Sequence, residues 1–278
     1  MWASGGTGVL RVRPIGPIDP PIGIREDYLA RLDQELDYRG IHLSDGEVIA
    51  VASKVVSYSQ GRVVPISRWS EVSDLAKRIA EHYGAEPWKT SAVLEEADLL
   101  LGGYRGYLFT YKNGIPVGSA GIDRSNSPPG YVVLHPVDPD GEARRIVEWF
   151  LDRRGVAVGA IIVDSRLTLF RRGVIGVALG VWGLKPLRDL RGKPDIYGKP
   201  LRFTVVNVAD SLAASAALVM GESAEKIPFA LIDWEGVEPD PGRGGEDLRV
   251  DPGECYIYNS LLNPPPRSLL GGSDASDG

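Results

Sequence analysis

The chain has 278 residues, of which 43% are hydrophobic and 24% are charged, so collagen-like, coiled-coil and disordered classes are excluded. The formal net charge of −6 offers no general attraction for nucleic acid, and the apolar runs are too short to span a bilayer. No secretory signal is visible, and the single cysteine, Cys255, excludes an intramolecular disulfide. We therefore expect a cytoplasmic protein that binds neither nucleic acid nor membrane.

The first half of the chain alternates β-branched runs with one helical pattern. We predict strands at residues 47–56, 107–111, 115–119 and 131–135, and a helix at residues 72–83. The Asn113-Gly114 pair lies between two of these strands and tolerates positive φ, so it predicts a tight hairpin turn.

The second half continues with helices at residues 142–153 and 209–220 and strands at residues 156–163, 202–208 and 227–232. Asp138 and Pro139 are typical of a helix N-terminus, and Gly155 is typical of the end of that helix. The run at 156–163 is almost wholly apolar, which indicates a strand covered on both faces. It delivers Asp164 and Ser165 to its carboxyl end.

The composition changes after Trp234 to glycine, proline and acidic residues. We predict that residues 9–234 form the folded region, as one domain or two subdomains. Residues 235–278 are predicted to form an irregular C-terminal extension with a mobile end.

Common catalytic signatures are missing from the sequence. There is no Walker-type loop, no Gly-x-Gly-x-x-Gly after a strand and no kinase motif. The three histidines, His42, His82 and His135, are scattered, which favours structural roles over a histidine-rich metal site or a serine triad.

The densest polar cluster is residues 121–127 (GIDRSNS), followed by a rigid Pro-Pro-Gly turn. A solvated loop with an Asx turn is one interpretation. In the other, Asp123 is a hard oxygen ligand for Mg²⁺ or Mn²⁺ and Asn126 hydrogen-bonds a ligand. Asp164 is the second candidate carboxylate, with a helix or turn cap as its structural alternative.

An ordered set of motifs resembles one known family, the archaeal and actinobacterial coenzyme F420:L-glutamate ligases. The motifs are GIDRSN at 121–126, DPD at 138–140 with ARRI at 143–146, GVWGLKPLRDLR at 180–191, GKPD at 192–195 with YG at 197–198, and VAD at 208–210 with MGE at 220–222. The resemblance runs from about residue 20 to residue 232. These enzymes are GTP-dependent γ-glutamyl ligases that extend a deazaflavin cofactor.

The resemblance implies an α+β fold, with mixed sheets and packed helices in the non-classical γ-glutamyl ligase fold, and an intertwined homodimer. It implies that GTP and two divalent cations, Mg²⁺ or Mn²⁺, bind in a groove, with a monovalent cation as an additional candidate. The substrates would be L-glutamate and a deazaflavin precursor. The precursor carboxylate would attack the γ-phosphate of GTP, and the amino group of glutamate would then open the resulting acyl phosphate.

Individual roles follow from the same resemblance. Asp123 and Asp164 would bind the first metal, and Ser165 and Glu222 the second. Asp123, Asp164 and Lys54 would be catalytic, with Arg124 and Arg171 as supplementary cations. The expected nucleotide contacts are Pro20, Pro21, Ile22, Gly23, Ser53, Lys54, Asn126, Met220, Gly221, Ser223 and Glu225. On its own, Lys54 or Glu222 could equally be an ordinary exposed side chain.

The chain departs from the family pattern near these residues. The family's Ser-Lys-Ala-Glu-Gly is replaced by SYSQG at 57–61, so Tyr58 takes the place of a lysine. Its Phe-Gly-Arg-Pro-Trp-Arg-Glu-Gly is replaced by RLTLFRRG at 166–173. Two alternatives therefore stay open: a ligase on the same scaffold with another amino acid or acceptor, and a non-catalytic protein that binds nucleotide or metal.

Overall fold

The computed structural model describes residues 8–265, which belong to two compact units divided between Leu248 and Arg249. The strands are β1 (Arg11–Ile15), β2 (Val48–Ala52), β3 (Val63–Pro65), β4 (Leu99–Tyr104), β5 (Tyr107–Lys112), β6 (Ile115–Gly118), β7 (Tyr131–Val133), β8 (Gly159–Leu167), β9 (Val174–Leu184), β10 (Leu187–Asp189), β11 (Val205–Asn207), β12 (Phe229–Asp233) and β13 (Pro239–Gly244). The helices are α1 (Tyr28–Tyr38), α2 (Ser53–Ser59), α3 (Asp74–Tyr83), α4 (Pro87–Glu96), α5 (Pro139–Arg154), α6 (Val208–Met220) and α7 (Tyr256–Leu262).

A six-stranded sheet forms the centre of the first unit, with strand order β1-β12-β2-β8-β9-β13. Only β2 and β8 are parallel, with Val48 opposite Gly159 and Ala52 opposite Val163. All other neighbours are antiparallel. The predicted α+β class with mixed sheets and packed helices is confirmed.

Helices cover both faces of this sheet. Side chains of α1 and α5 pack on one face, where Tyr28 and Phe150 are fully buried. Helix α6 packs on the other face through Leu212, Ala213 and Ala216. Because both faces are covered, β2 and β8 read as continuous apolar runs in the sequence.

Two glycines in β9 let the helices approach the sheet closely. A Cβ on Gly176 would lie 2.6 Å from the carbonyl oxygen of Ala213 in α6. A Cβ on Gly180 would lie 2.1 Å from the carbonyl oxygen of Pro139 at the start of α5. The register between β8 and β9 shifts at Ile162 and Val163, and this bulge lets the two glycines face opposite helices.

A smaller subdomain packs the sheet β4-β5-β6 against α3 and α4 around a separate core that includes Trp69, Leu108 and Val132. The predicted hairpin turn is confirmed: Asn113 and Gly114 have φ values of 52° and 80°, and Lys112 pairs with Ile115. The short pair β3-β7 completes this region.

The predicted signals at the two ends of α5 are also confirmed. The Asp138 carboxylate accepts a hydrogen bond from the Gly141 amide, and Gly155 ends the helix with φ of 66°. The helix runs from Pro139 to Arg154, with Asp138 as its N-cap. Residues 159–163 of β8 are buried, as the apolar run predicts.

Several elements differ from the prediction. The strand predicted at 47–56 is wrong beyond Ala52, because the chain turns there into α2. A short apolar run can be strand or helix by pattern alone, and tertiary packing decided between them. The strand predicted at 202–208 is limited to Val205–Asn207. Helices α1 and α4 and strand β4 were not predicted.

The C-terminal segment also differs from the predicted irregular extension. Residues 239–244 form β13, the edge strand beside β9, although their sequence PDPGRG is poor in strand formers. The Asp140 carboxylate further anchors this segment by accepting a hydrogen bond from the Gly245 amide. The two compact units divide between Leu248 and Arg249.

The second unit contains a short 3-10 turn and α7. The Asn259 side chain donates to the carbonyl oxygens of Pro252, Gly253 and Cys255, which ties the helix to the turn before it. The predicted mobile end, residues 266–278, lies outside the described residues. Within residues 8–265, no helix is both long enough and apolar enough to cross a bilayer.

Candidate functional site

Most of the predicted site residues lie at one edge of the central sheet. The parallel strands β2 and β8 end side by side, so Ser53 follows β2 where Asp164 follows the buried part of β8. Strand β12 runs antiparallel to β2 and to β1, so the segment before β12 and the segment after β1 reach the same edge. In sheets with parallel strands, ligands bind at such carboxyl ends.

A cavity of about 480 Å³ opens at this edge, a size that suits a small-molecule ligand. Most of the predicted site residues line it: Pro21, Ile22, Ser53, Lys54, Asp123, Asn126, Asp164, Ser165, Met220, Gly221, Glu222, Ser223 and Glu225. Pro20 and Gly23 flank its lining residues Pro21 and Ile22 without lining it themselves.

Lys54 lies in the first turn of α2 and contacts the polar loop of residues 121–127. Its Nζ atom donates to Asp123 Oδ2 at 2.7 Å and to the carbonyl and hydroxyl oxygens of Ser125 at 2.8 Å each. The strand predicted at 47–56 is therefore wrong at Lys54, which belongs to a helix. The lysine nevertheless presents its charge to the cavity.

Asp123 is held in a fixed orientation by its neighbours. The Ser125 amide donates to Oδ1 at 2.7 Å, and the Ser125 hydroxyl donates to Oδ2 at 2.6 Å. Burial alone would raise the pKa of Asp123, but the hydrogen bonds from Lys54 and Ser125 outweigh it and lower the pKa below the ordinary value. Asp123 is therefore ionised and oriented at neutral pH.

Asp164 has a different environment. The Ser165 amide donates to Oδ1 at 2.9 Å. Burial raises the pKa of this carboxyl to about 6, although hydrogen bonds from Ser165 and Ser53 and the charge of Lys54 act in the opposite direction. The negative charge of Asp123 also raises it. The pKa of Asp164 thus depends on the charge of Asp123 in the same cavity. Two such interacting carboxylates are typical of a cation or phosphate site.

Three segments of the cavity wall are joined by hydrogen bonds through Asn126. The Tyr58 hydroxyl of α2 donates to the Asn126 carbonyl oxygen at 2.8 Å. The Asn126 side-chain amide donates to the Ser223 carbonyl oxygen at 2.8 Å. Asn126 therefore links α2 to the loop after α6.

The loop between α6 and β12 forms another part of the cavity wall. Gly221 ends α6 with φ of 80°, as the sequence predicts, and Glu222 follows it into the cavity. The Glu225 carboxylate accepts a hydrogen bond from the Ser223 amide at 2.8 Å, so it stabilises its own loop. Lys226 adds a second cation to the cavity lining and pairs with Asp19.

The two supplementary arginines do not line the cavity. The Arg124 guanidinium lies 5.5 Å from the centre of the Trp88 ring and 3.3 Å from a Glu86 oxygen. Arg171 is exposed in the turn between β8 and β9. Arg124 thus contacts Trp88 and Glu86 and does not line the cavity.

Sequence reasoning missed three polar residues here. Ser125 was part of the polar cluster but received no role, and Tyr58 was noted only as a departure from the family pattern. His135 was interpreted as structural, and its Nε2 atom lies 4.0 Å from Asp164 Oδ2. Its position in the strand-like run 131–135 gave no signal, because only the fold brings that run to Asp164.

The oxygens at this site suit a hard cation such as Mg²⁺ or Mn²⁺. Among residues 8–265, no three His, Cys, Asp or Glu side chains converge as a complete metal site. The available donors include the Asp123, Asp164 and Glu222 carboxylates and the Ser125 and Ser165 hydroxyls. Mg²⁺ commonly uses one or two carboxylates and completes its shell with substrate phosphates and water, so this donor set fits such an ion.

Comparison with known proteins places the chain in one family. The family model described as F420-0:Gamma-glutamyl ligase matches residues 20–233, which include every predicted site residue. A coenzyme F420:L-glutamate ligase from Methanopyrus kandleri is 37% identical over 237 residues, covering 85% of this chain and 90% of the relative.

Two further relatives carry the same name. The protein from Archaeoglobus fulgidus is 39% identical over 198 residues, covering 71% of this chain and 79% of its own. The protein from Methanothermobacter thermautotrophicus is 35% identical over 243 residues, covering 86% and 95%. The chain therefore belongs to the F420-0:gamma-glutamyl ligase family.

Proposed function

We propose that this protein joins L-glutamate to a deazaflavin coenzyme F420 precursor through an amide bond, with GTP and a divalent metal. Family membership supports an amide-bond-forming ligase, and the names of the relatives support glutamate as the amino acid. The observation that carries the proposal is that Lys54, Asp123 and Asp164 line one cavity.

The nucleotide would lie in this cavity along α2 and the loop after α6. Lys54 supplies positive charge for phosphate oxygens, and Lys226 also lines the cavity. Ser53 and the Asn126 side chain offer hydrogen bonds. The apolar side chains of Ile22 and Met220 are suited to the face of a base.

Asp123 and Asp164 would hold a first divalent cation, and Ser165 and Glu222 a second. When bound, such ions neutralise phosphate charge and orient oxygens for an in-line displacement. Lys54 donates a hydrogen bond to Asp123. The lysine therefore lies close enough to the proposed metal to contact a phosphate group that the metal also binds. A monovalent cation remains an additional candidate at this site.

The proposed reaction has two steps. An oxygen of the acceptor carboxylate attacks the γ-phosphorus, the bond to the β-phosphate oxygen breaks, and GDP leaves with its electron pair. The glutamate amine then attacks the acyl carbon, loses a proton and expels inorganic phosphate. The protein contributes mainly position and charge, because phosphoryl transfer needs little covalent help.

One observation favours a second candidate, a ligase on the same scaffold with a different acceptor or amino acid. Tyr58 lines the cavity where the resembled family has a lysine. A phenol is neutral at physiological pH and offers an aromatic face, so it changes which substrate groups this wall can bind. Assaying purified protein with GTP and a panel of amino acids and deazaflavin acceptors separates the two candidates.

The decisive test replaces Asp123 and Asp164 singly by asparagine. We expect each variant to lose at least about 100-fold of the GTP-dependent ligation rate, because an amide cannot supply the charge that a divalent cation needs. Asp74→Asn, on the exposed start of α3, is the matched control and should keep full activity. Thermal melts verify folding.

Turnover at the wild-type rate in both variants would remove the metal assignment and the ligase mechanism. GTP binding without any turnover by the wild-type protein would instead favour a non-catalytic nucleotide-binding protein.

We further propose a homodimer. The segments that the sequence suggested for the interface, residues 174–183 and 209–219, are mostly buried within the chain itself. Some apolar side chains are nevertheless exposed, among them Val174 and Leu218 in these segments and Ile196 and Phe203 elsewhere, with Leu218, Phe203 and Ile196 at least 86% exposed. Large exposed apolar groups favour burial against a partner. Light scattering should give twice the chain mass of 30.0 kDa, and the mass of one chain at micromolar concentration would contradict the dimer.

A further inference from the structure

His135 is a buried polar side chain beside Asp164, and the proposed mechanism leaves it without a role. The residue is 2% exposed, and neither ring nitrogen has a hydrogen-bond partner among residues 8–265. Burying an unpaired polar group costs stability, and a leucine would fill the same space without that cost. A histidine here therefore needs an explanation other than packing.

The ring is directed at Asp164. Its Nε2 atom lies 4.0 Å from Asp164 Oδ2, about 1 Å longer than a hydrogen bond. The other oxygen, Oδ1, already accepts from the Ser165 amide. Hydrogen bonds of functional groups are often long in ligand-free states and shorten when the site is loaded.

The surroundings keep the imidazole neutral. Burial and the positive charges of Lys112 and Arg62 lower the pKa of His135 to about 4, against the opposing charge of Glu96. Arg62 and Lys112 both pair with Glu96, and Arg62 also donates to the His135 carbonyl oxygen. A neutral imidazole can donate one hydrogen bond to a carboxylate without bringing a positive charge that would repel a cation.

The chain also makes room for the ring. Gly121, two residues before Asp123, has φ of 74°, and a Cβ there would lie 2.4 Å from His135 Cδ2. His135 thus fills the space between the polar loop and β8. A side chain at this position contacts both carboxylate-bearing segments.

We propose that His135 is a positioning residue for Asp164: its Nε2–H donates to Oδ2 and fixes the orientation in which the carboxylate binds a divalent cation. The inference rests on the proposed function, because that function assigns Asp164 to the metal. Outer hydrogen-bond partners of metal ligands typically account for a 10- to 100-fold change in metal affinity.

The test compares His135→Leu, which fills the space without a donor, with His135→Gln, whose amide nitrogen can take the place of Nε2. Mn²⁺ binding to each full-length protein is measured by electron paramagnetic resonance with a non-hydrolysable GTP analogue. We expect His135→Leu to raise the Mn²⁺ Kd by about 10- to 100-fold, and His135→Gln to stay within a few-fold of wild type. His42→Leu, at an exposed histidine, should leave the Kd unchanged.

A thermal melt separates positioning from a structural role. A positioning role predicts that metal-free His135→Leu melts at or above the wild-type temperature, because an unpaired polar group has been removed. It also predicts that excess Mn²⁺ restores kcat in this variant. Wild-type Mn²⁺ affinity in His135→Leu would overturn the inference and leave the proposed function intact.

Equal losses of Mn²⁺ affinity and melting temperature in the leucine and glutamine variants would also overturn the positioning role. Failure of the wild-type protein to bind Mn²⁺ in the presence of the nucleotide would overturn the proposed function itself.

Discussion

The Lys54 ammonium lies 2.7 Å from Asp123 Oδ2, across 69 positions of sequence. All three of its hydrogen-bond donors are directed at the polar loop, to Asp123 and to both oxygens of Ser125. The lysine thus joins the first turn of α2 to the segment that carries the candidate metal ligand. It places a positive charge where both a phosphate and a divalent cation are proposed to bind.

This contact predicts opposite effects of Lys54→Met on two ligands. We expect the Kd for GTP to rise by about 10-fold or more, because a charge-assisted hydrogen bond to phosphate is lost. We expect the Kd for Mn²⁺ without nucleotide to fall, because a competing cation leaves Asp123. Calorimetric titration measures both constants.

Lys77→Met on the exposed face of α3 is the control and should change neither Kd. Parallel weakening of both ligands by Lys54→Met would contradict the proposed competition. Stability should change by less than about 1 kcal/mol, since Asp123 is half-exposed and such ion pairs contribute little.

Tyr58 provides a second prediction. Removing its hydroxyl in Tyr58→Phe frees the Asn126 carbonyl oxygen, so the loop it holds should become more mobile. We expect GTP affinity to fall several-fold with a stability loss of about 1 kcal/mol. Tyr38→Phe, at a side chain 85% exposed, is the matched control.

Tyr58→Lys tests the same position by adding a positive charge to it. The new lysine would lie one helical turn after Lys54 on the same face of α2, because residues four apart are neighbours on a helix. We expect tighter GTP binding from the added cation. Weaker GTP binding would show that the tyrosine ring itself contacts the nucleotide.

The pKa of Asp164 predicts how pH changes the stability of the metal-free protein. In the folded state it is raised to about 6 from an ordinary 3.8, so this group stabilises the fold below pH 4 and loses that contribution as pH rises through 6. Asp164→Asn stays neutral throughout. The variant should therefore melt above wild type at pH 7, with a difference that vanishes towards pH 4.

The expected difference is at most about 3 kcal/mol, and solvent reduces it because the Asp164 side chain is 32% exposed. Melts in EDTA across this pH range measure it, and comparison of the two proteins cancels the titration of other groups. A constant difference from pH 4 to pH 7 would contradict the raised pKa. His135, whose pKa is lowered to about 4, acts oppositely and destabilises both proteins as pH falls below 6.5.

A fourth prediction concerns the C-terminal segment. A chain ending at Leu248 keeps β13 and should melt close to full length, whereas a chain ending at Trp234 loses the edge strand beside β9. We expect the shorter chain to lose about 2 kcal/mol or more, because Trp182, which Gly244 covers, becomes exposed. Both should still bind GTP, since the cavity residues precede residue 229.

Equal melting temperatures for the two truncated chains would show that β13 adds no stability. Loss of GTP binding by a folded chain ending at Leu248 would show that the second unit contributes to the site.

The sequence by itself determined the local features of this protein. Capping at Asp138 and Gly155 and the turn at Asn113-Gly114 follow from backbone preferences within a few residues, and all were predictable. The covered strand at 159–163 followed from its unbroken apolar run. The ordered motifs indicated the family, and the family model matches residues 20–233.

Only the tertiary structure decided where strand becomes helix after Ala52 and that PDPGRG forms an edge strand. In both cases the local preference is weak or contrary, and pairing with β8 or β9 outweighs it. Long-range packing likewise decided that Arg124 contacts Trp88 and that His135 faces Asp164. Such contacts join residues far apart in the chain, so they depend on how the sheet brings its strand ends together rather than on any local pattern.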